Sequence, residues 1–160
     1  MDGALRYDRL SVWTALIAFG ALQLAAMWKI GFAFEYPLDD PYIHLAMASE
    51  ISKDGYGVNS GEIASAASSA LFPLLLTPFA DTDFQRFLPL IWNVIGLVLT
   101  AWIVGKTIIW SGLRGAAAVI LAISTPVFLG SVSTSYAGME HSLHAAASVA
   151  IVYGLARFST

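Results

Sequence analysis

The chain contains no cysteine, so neither a disulfide framework nor a thiolate metal site can be built from it, and thiols say nothing of its redox compartment. Charge is scarce too: 12% of the 160 residues are Asp, Glu, Lys or Arg. The net charge of −3 implies no nucleic-acid partner, and the chain carries no basic stripe and no Gly-rich phosphate loop. What remains is apolar. Fully 58% of residues are hydrophobic, and they fall in blocks too long for the core of a soluble protein. This composition predicts an all-α integral membrane protein forming a single membrane domain over 1–160. At roughly 20 apolar residues per span, there is room for about four transmembrane helices and one substantial loop.

The first span is expected at about 12–34, from Val12 to Phe34, with Trp13 and Trp28 near its ends as interfacial anchors and Lys29 able to snorkel. A cleavable signal peptide is the alternative, since Arg6 and Arg9 precede the run and Ala25 and Ala26 are small, but the run exceeds a usual signal core. Further spans are expected at about 87–110, 115–133 and 142–158, with Pro126 kinking the third and the short connector Ser111–Arg114 making an antiparallel hairpin of the second and third. Between them lies an external loop, 35–86. Within it Ile43, Met47 and Ile51 recur at helical spacing opposite His44, Ser49 and Ser52, which predicts a surface helix over Tyr42–Ser52. Pro41 suits its first turn, Asp39 or Asp40 can cap it, and Gly55 and Gly57 stop it. The run of small residues Ala64–Ala70 leads into Leu71–Leu76, ending at Pro78. That piece is too short to span and reads as a second interfacial helix, half inserted.

A four-span weave puts Arg6, Arg9, Lys106, Arg114 and Arg157 on one side, which the positive-inside bias makes cytoplasmic. Asp39, Asp40, Asp54, Glu62, Asp81, Asp83, Glu140 and all three histidines fall on the other. The chain is thus expected in the cell inner (plasma) membrane, multi-pass, with its N-terminus cytoplasmic.

Two polar clusters stand out on the acidic side. Asp39 and Asp40 are adjacent carboxylates just after a span, a placement that costs repulsion and desolvation. Capping the surface helix accounts for one of them but not for two. His44 lies one turn after Asp40 and could tune its proton affinity, or simply face water. Tyr42 and Tyr36 could stack on a sugar or sit in the headgroup belt, and Ser65, Ser68 and Ser69 could donate contacts or merely allow close helix packing. The second cluster is Glu140, His141 and His144 at the start of the last span. On a helix these spacings share a face, which could hold a divalent cation beside a phosphate at the free amides, although Glu140 near a helix N-terminus is also plain capping electrostatics.

The order and sidedness of these pieces resemble the membrane glycosyltransferases of the GT-C fold, which use a polyprenyl-phosphate sugar. The stretch Asp39-Asp40-Pro41-Tyr42-Ile43-His44-Leu45-Ala46, followed by Gly57-Val58-Asn59-Ser60-Gly61-Glu62, is similar to the first external loop of the arabinosyl- and mannosyltransferase-like branch. Gly138-Met139-Glu140 resembles that family's second acidic motif. The resemblance covers nearly the whole chain as the N-terminal part of such an enzyme. It implies a carboxylate of Asp39 or Asp40, with Asp39 favoured, as general base on an acceptor hydroxyl. It also implies substrate contacts from Glu140, His44, Tyr42 and Arg86, with Arg86 or Lys53 offering positive charge to the leaving phosphate. A divalent cation, magnesium or manganese, is implied at Asp40, Glu140, His141 or His144. Because the family carries further spans, the remainder of a split enzyme is an expected partner, beside the lipid bilayer and the donor lipid. The competing expectation is a small non-catalytic membrane protein, either an assembly partner or a cation-binding transporter fragment.

Overall fold

The structure is a computed structural model that describes residues 6–53, 55–61, 63–64, 66–128 and 131–159. Asp54, Glu62 and Ser65, named above for charge or contacts, lie outside the described residues, as do Leu129 and Gly130 within the third expected span. The described residues form only helices and connecting loops, apart from one isolated bridge between Tyr56 and Ile63. In chain order the helices are α1 (Tyr7–Lys29), α2 (Asp40–Ile51), α3 (Phe72–Leu75), a 3₁₀ turn at Gln85–Phe87, α4 (Leu88–Trp110), α5 (Gly115–Phe128), α6 (Ser131–Tyr136) and α7 (His141–Phe158). Two stretches, α1 and Gln85–Trp110, are long and apolar enough to cross a membrane, and α5 is a shorter apolar helix.

Helix α1 begins at Tyr7 rather than Val12 because the polar residue that would have stopped it has a partner. Asp8, 2% exposed, meets Lys106 of α4 at 3.0 Å and Arg6 at 3.4 Å. It ends at Lys29, short of Phe34, where Gly31 (φ 71°) and Phe32 (φ 62°) turn left-handed. The Phe32 and Gly31 amides donate back to the carbonyls of Met27 and Trp28, at 2.7 and 3.4 Å, which closes the helix by the glycine C-cap route. Helix α2 starts two residues before Tyr42, with Pro41 in its first turn. The run 64–70 is not helical where described, and α3 is a single turn whose Phe72 amide donates to the Ser69 hydroxyl oxygen at 3.3 Å. Serine side chains that bond the backbone locally compete with helix here. Helices α4 and α7 fall within a residue of expectation. The stretch expected at 115–133 is divided between α5, with Pro126 buried inside it, and α6.

α4 is the hub, packing against α1, α5, α6 and α7. Two glycines allow the closest approaches. A side chain at Gly105 would collide with the backbone of Tyr7 and Asp8, and one at Gly96 would sit 2.6 Å from the Ser142 carbonyl carbon. The N-terminus of α1 therefore lies against the C-terminal part of α4, while α7 starts beside Gly96 and carries Tyr153 to Trp110 (ring centroids 6.3 Å), so α1 runs antiparallel and α7 parallel to α4. Ala15, Phe19, Leu97, Ala101 and Val132 form the central apolar contact. Two buried hydroxyls on these helices find partners within the bundle: Thr100 donates to the Gly96 carbonyl at 2.9 Å, and Ser142 donates to Asn93 Oδ1 across the α4–α7 contact. The outward faces are apolar rather than charged, with Ile17, Leu24, Ile120, Ile151 and Leu155 all more than half exposed. The packing also gathers Arg6, Arg9, Lys106, Arg114 and Arg157 at one end of the bundle and α2 at the other.

Candidate functional site

The end of the bundle opposite the basic residues is organised around Tyr36. Its phenol donates to the Arg86 carbonyl at 2.7 Å and accepts the Leu90 amide at 3.1 Å, and its own amide donates to the Tyr42 hydroxyl at 2.9 Å. One buried ring thus fastens the loop after α1 to the start of α4 and to α2. Burial pushes its ionisation upward, so the phenol stays a donor. Gly138, left-handed at φ 77°, lies directly on this ring, and a side chain there would strike Tyr36 and come within 3.0 Å of Pro41. Only a glycine lets the turn before α7 close onto the start of α2.

That closure brings His44 to Glu140. Both are buried, at 1% and 6% exposure, and His44 Nε2 stands 3.6 Å from Glu140 Oε2. Ser68, from the segment before α3, joins them: its hydroxyl is 3.2 Å from Glu140 Oε1 and 3.3 Å from His44 Nε2. A hydroxyl has one proton to give, and a carboxylate can only accept. Ser68 therefore donates to Glu140 and accepts from His44 Nε2–H, which assigns the neutral ring its Nε2–H tautomer. His44 Nδ1 and Glu140 Oε2 are buried with no hydrogen-bond partner. Phe72 packs edge-on against the imidazole at 5.3 Å. Burial lowers the proton affinity of His44, while the charges of Glu140 and Asp40 pull it back up.

The expected site residues divide into those drawn together here and those left apart. Asp40, half-buried, opens the helix that carries His44 one turn later, close enough for its charge to act on the ring. Asp39 is exposed at the N-cap position of α2. Its carboxylate makes no capping bond, and its backbone carbonyl alone receives the Tyr42 and Ile43 amides. Tyr42 is 44% exposed, with its ring edge-on to that of Tyr36 at 5.8 Å. The exposed Arg86 lies at this same end, its guanidinium 4.9 Å from the centre of the Phe87 ring. Lys53, the other candidate cation, is tied to Asp81 at 3.1 Å and Glu50 at 3.8 Å.

Helical spacing alone puts Glu140 with His141 and His144, but Glu140 turns inward at the N-cap of α7 whereas both histidines are exposed. Among the described residues no three His, Cys, Asp or Glu side chains gather as a metal-ligand set. Glu140 accepts the Ser68 hydroxyl on Oε1, while its buried Oε2 has no hydrogen-bond partner and is a protein oxygen at this end that could meet a cation. The linkage of Ser68 to Glu140 and the bracing by Tyr36 are long-range features without a local pattern; the one local hint is the glycine before Met139 and Glu140. Comparison with protein-family models, curated proteins and solved structures found no match for this chain.

Proposed function

We propose that the chain is the N-terminal, acid-loop-bearing part of a GT-C-type membrane glycosyltransferase, transferring a sugar from a polyprenyl-phosphate donor to an acceptor hydroxyl outside the membrane. In this reading α1, α4, the α5–α6 stretch and α7 are four spans, and α2 and α3 are interfacial helices of the first external loop. The basic end faces the cytoplasm of an inner (plasma) membrane protein with a cytoplasmic N-terminus. The outward apolar faces of α1, α5 and α7 support a bilayer around the bundle, because such surface is costly in water. One observation carries the functional part: the helix that begins at Asp40 is clamped through His44 onto Glu140, so both acidic motifs meet at one end of the bundle.

The exposed Asp39 carboxylate takes the proton of the acceptor hydroxyl as its oxygen bonds the anomeric carbon. The bond from that carbon to the phosphate oxygen breaks with inversion, and the electron pair leaves on polyprenyl phosphate. Arg86, exposed at this end, can meet the phosphate, while the part-exposed Tyr42 ring can meet a sugar. A divalent ion, magnesium or manganese, would have to be bound jointly by the donor phosphate and Asp40 or Glu140. Further spans, supplied by the rest of the enzyme, would complete the donor groove.

The test is transfer from a labelled polyprenyl-phosphate sugar by the complete assembly. Asp39→Asn is expected to lower the rate by about 10²-fold or more, the scale of a lost general base, with Asp40→Asn impaired less. Full activity in both variants would end this reading. A non-catalytic assembly partner or a cation-binding transporter fragment is the second reading, favoured by the exposed, separate positions of His141 and His144. It predicts no transfer by the assembly at all.

A further inference from the structure

Helices α1 and α4 leave a groove between them at the basic end of the bundle, about 500 Å³ in volume. Its lining is ordered along the helix axes. Arg6, Asp8 and Arg9 stand where α1 begins; Trp13 follows Arg9 by one helical turn, and Trp102 precedes Lys106 by one turn on the antiparallel α4. Leu99 and Val98 carry the apolar wall on from Trp102 toward the middle of the bundle. Both tryptophans and both arginines are exposed. Charge is unbalanced within the lining itself. Among the described residues one carboxylate, Asp8, faces Lys106 at 3.0 Å and Arg6 at 3.4 Å, and Arg9 bonds it through the backbone amide, so the Arg9 guanidinium is a third cation added to a single acid. Lys106 also stands over the Trp102 ring, 5.3 Å from its centre.

We infer that this groove binds an anionic phospholipid, its headgroup phosphate at Arg9 and Arg6 and an acyl chain along Leu99 and Val98. Three cations against one carboxylate leave net positive charge at the mouth, which complements a phosphate, and a guanidinium offers phosphate a planar pair of donors. Tryptophan suits the layer between headgroup and hydrocarbon, and both tryptophans stand between the arginines and the aliphatic wall. The lining therefore follows a phospholipid from head to tail. An apolar protein helix would meet Leu99 and Val98 but would leave the excess positive charge unmatched. The site rests on the bilayer reading above and is independent of glycosyl transfer.

The experiment reconstitutes the full chain in phosphatidylcholine bilayers and replaces a rising fraction of lipid with acyl-brominated phosphatidylglycerol or, in parallel, acyl-brominated phosphatidylcholine. The Trp102 component of the emission is read as the difference between the chain and its Trp102→Phe variant, and that of Trp28, at the far end of α1, in the same way. Brominated phosphatidylglycerol should quench Trp102 at a fraction at least about fivefold lower than brominated phosphatidylcholine, the worth of one basic residue near anionic lipid. Arg9→Gln, which keeps both ion pairs of Asp8, should narrow that gap by about fivefold. Arg114→Gln, at the same end but outside the groove lining, should leave it, circular dichroism confirming the same helix content in both variants. Equal quenching of Trp102 by the two lipids in the unsubstituted chain, or a preference unchanged in Arg9→Gln, overturns the site. An equal loss in Arg9→Gln and Arg114→Gln overturns it as well, because that marks diffuse attraction to the basic end. So does a Trp102 that neither lipid reaches while Trp28 is quenched, which would mean that protein fills the groove. Tryptophans untouched by either lipid would remove the bilayer reading and this site with it.

Discussion

His44 concentrates what one residue can decide in this molecule. An imidazole at 1% exposure shares Ser68 and Glu140 on its Nε2 side and keeps Nδ1 unpaired, so adding a second proton creates a buried donor with nothing to receive it. Burial lowers its proton affinity in the folded chain below the ordinary value of 6.5. The unfolded chain therefore takes up the proton first as pH falls. Stability should be full above about pH 6.5 and decline as pH drops through the lower, folded-state value. Thermal unfolding between pH 8 and pH 5 would measure this, and His44→Gln should flatten that part of the slope. A wild-type slope unchanged by His44→Gln would assign the pH dependence to other groups. In the sequence His44 is one polar residue on an apolar-striped helix, equally suited to water or to Asp40. Its true partner, Glu140, is on the last helix, and no periodicity connects the two.

At the scale of elements, glycine decides where helices touch. Gly105 and Gly96 let α1 and the start of α7 lie directly on the α4 backbone, whereas nothing lies within 4 Å of a side chain placed at Gly154 on α7. Gly105→Ala is expected to destabilise by about 1–3 kcal/mol, because its methyl meets backbone rather than a side chain that could swing aside. Gly154→Ala should instead be neutral or gain up to about 1 kcal/mol from helix propensity. Unfolding midpoints of the two variants in one detergent would check the pair. Equal effects would mean that the α1–α4 approach is looser than the structure has it. Helix limits follow the same logic. Those of α4 and α7 are legible because an unbroken apolar run ends at a polar or turn residue. The start of α1 is not, because the buried Asp8 is held by Lys106 of α4 together with Arg6 and the Arg9 amide, and the shortness of α3 follows from serine bonding that residue type alone does not announce.

For the whole molecule, the consequence is polarity from end to end. Basic side chains collect where α1 begins and α4 ends; α2, Tyr36 and the start of α7 collect at the other pole. A chain without cysteine is suited to mapping this directly. Ser52→Cys, beyond α2, and Ser111→Cys, in the connector to α5, are both at exposed positions. An impermeant maleimide added to intact cells should label the first, and the second only after permeabilisation. Labelling of both from one side would break the four-span weave and with it the external placement of Asp39 and Asp40.

Composition and the spacing of apolar runs were enough to require helices, to place α4 and α7 to within a residue, and to gather Arg6, Arg9, Lys106, Arg114 and Arg157 at one end with Asp39, Asp40 and Glu140 at the other. These are properties of residues close in the chain, where burial and backbone hydrogen bonding act over a few turns. The pairing of His44 with Glu140, the part of Ser68, and the inward turn of Glu140 away from His141 and His144 came only with packing. Such contacts depend on which helix faces lie against each other, and that is set by glycine-sized gaps and a buried tyrosine distant in sequence from the residues they bring together.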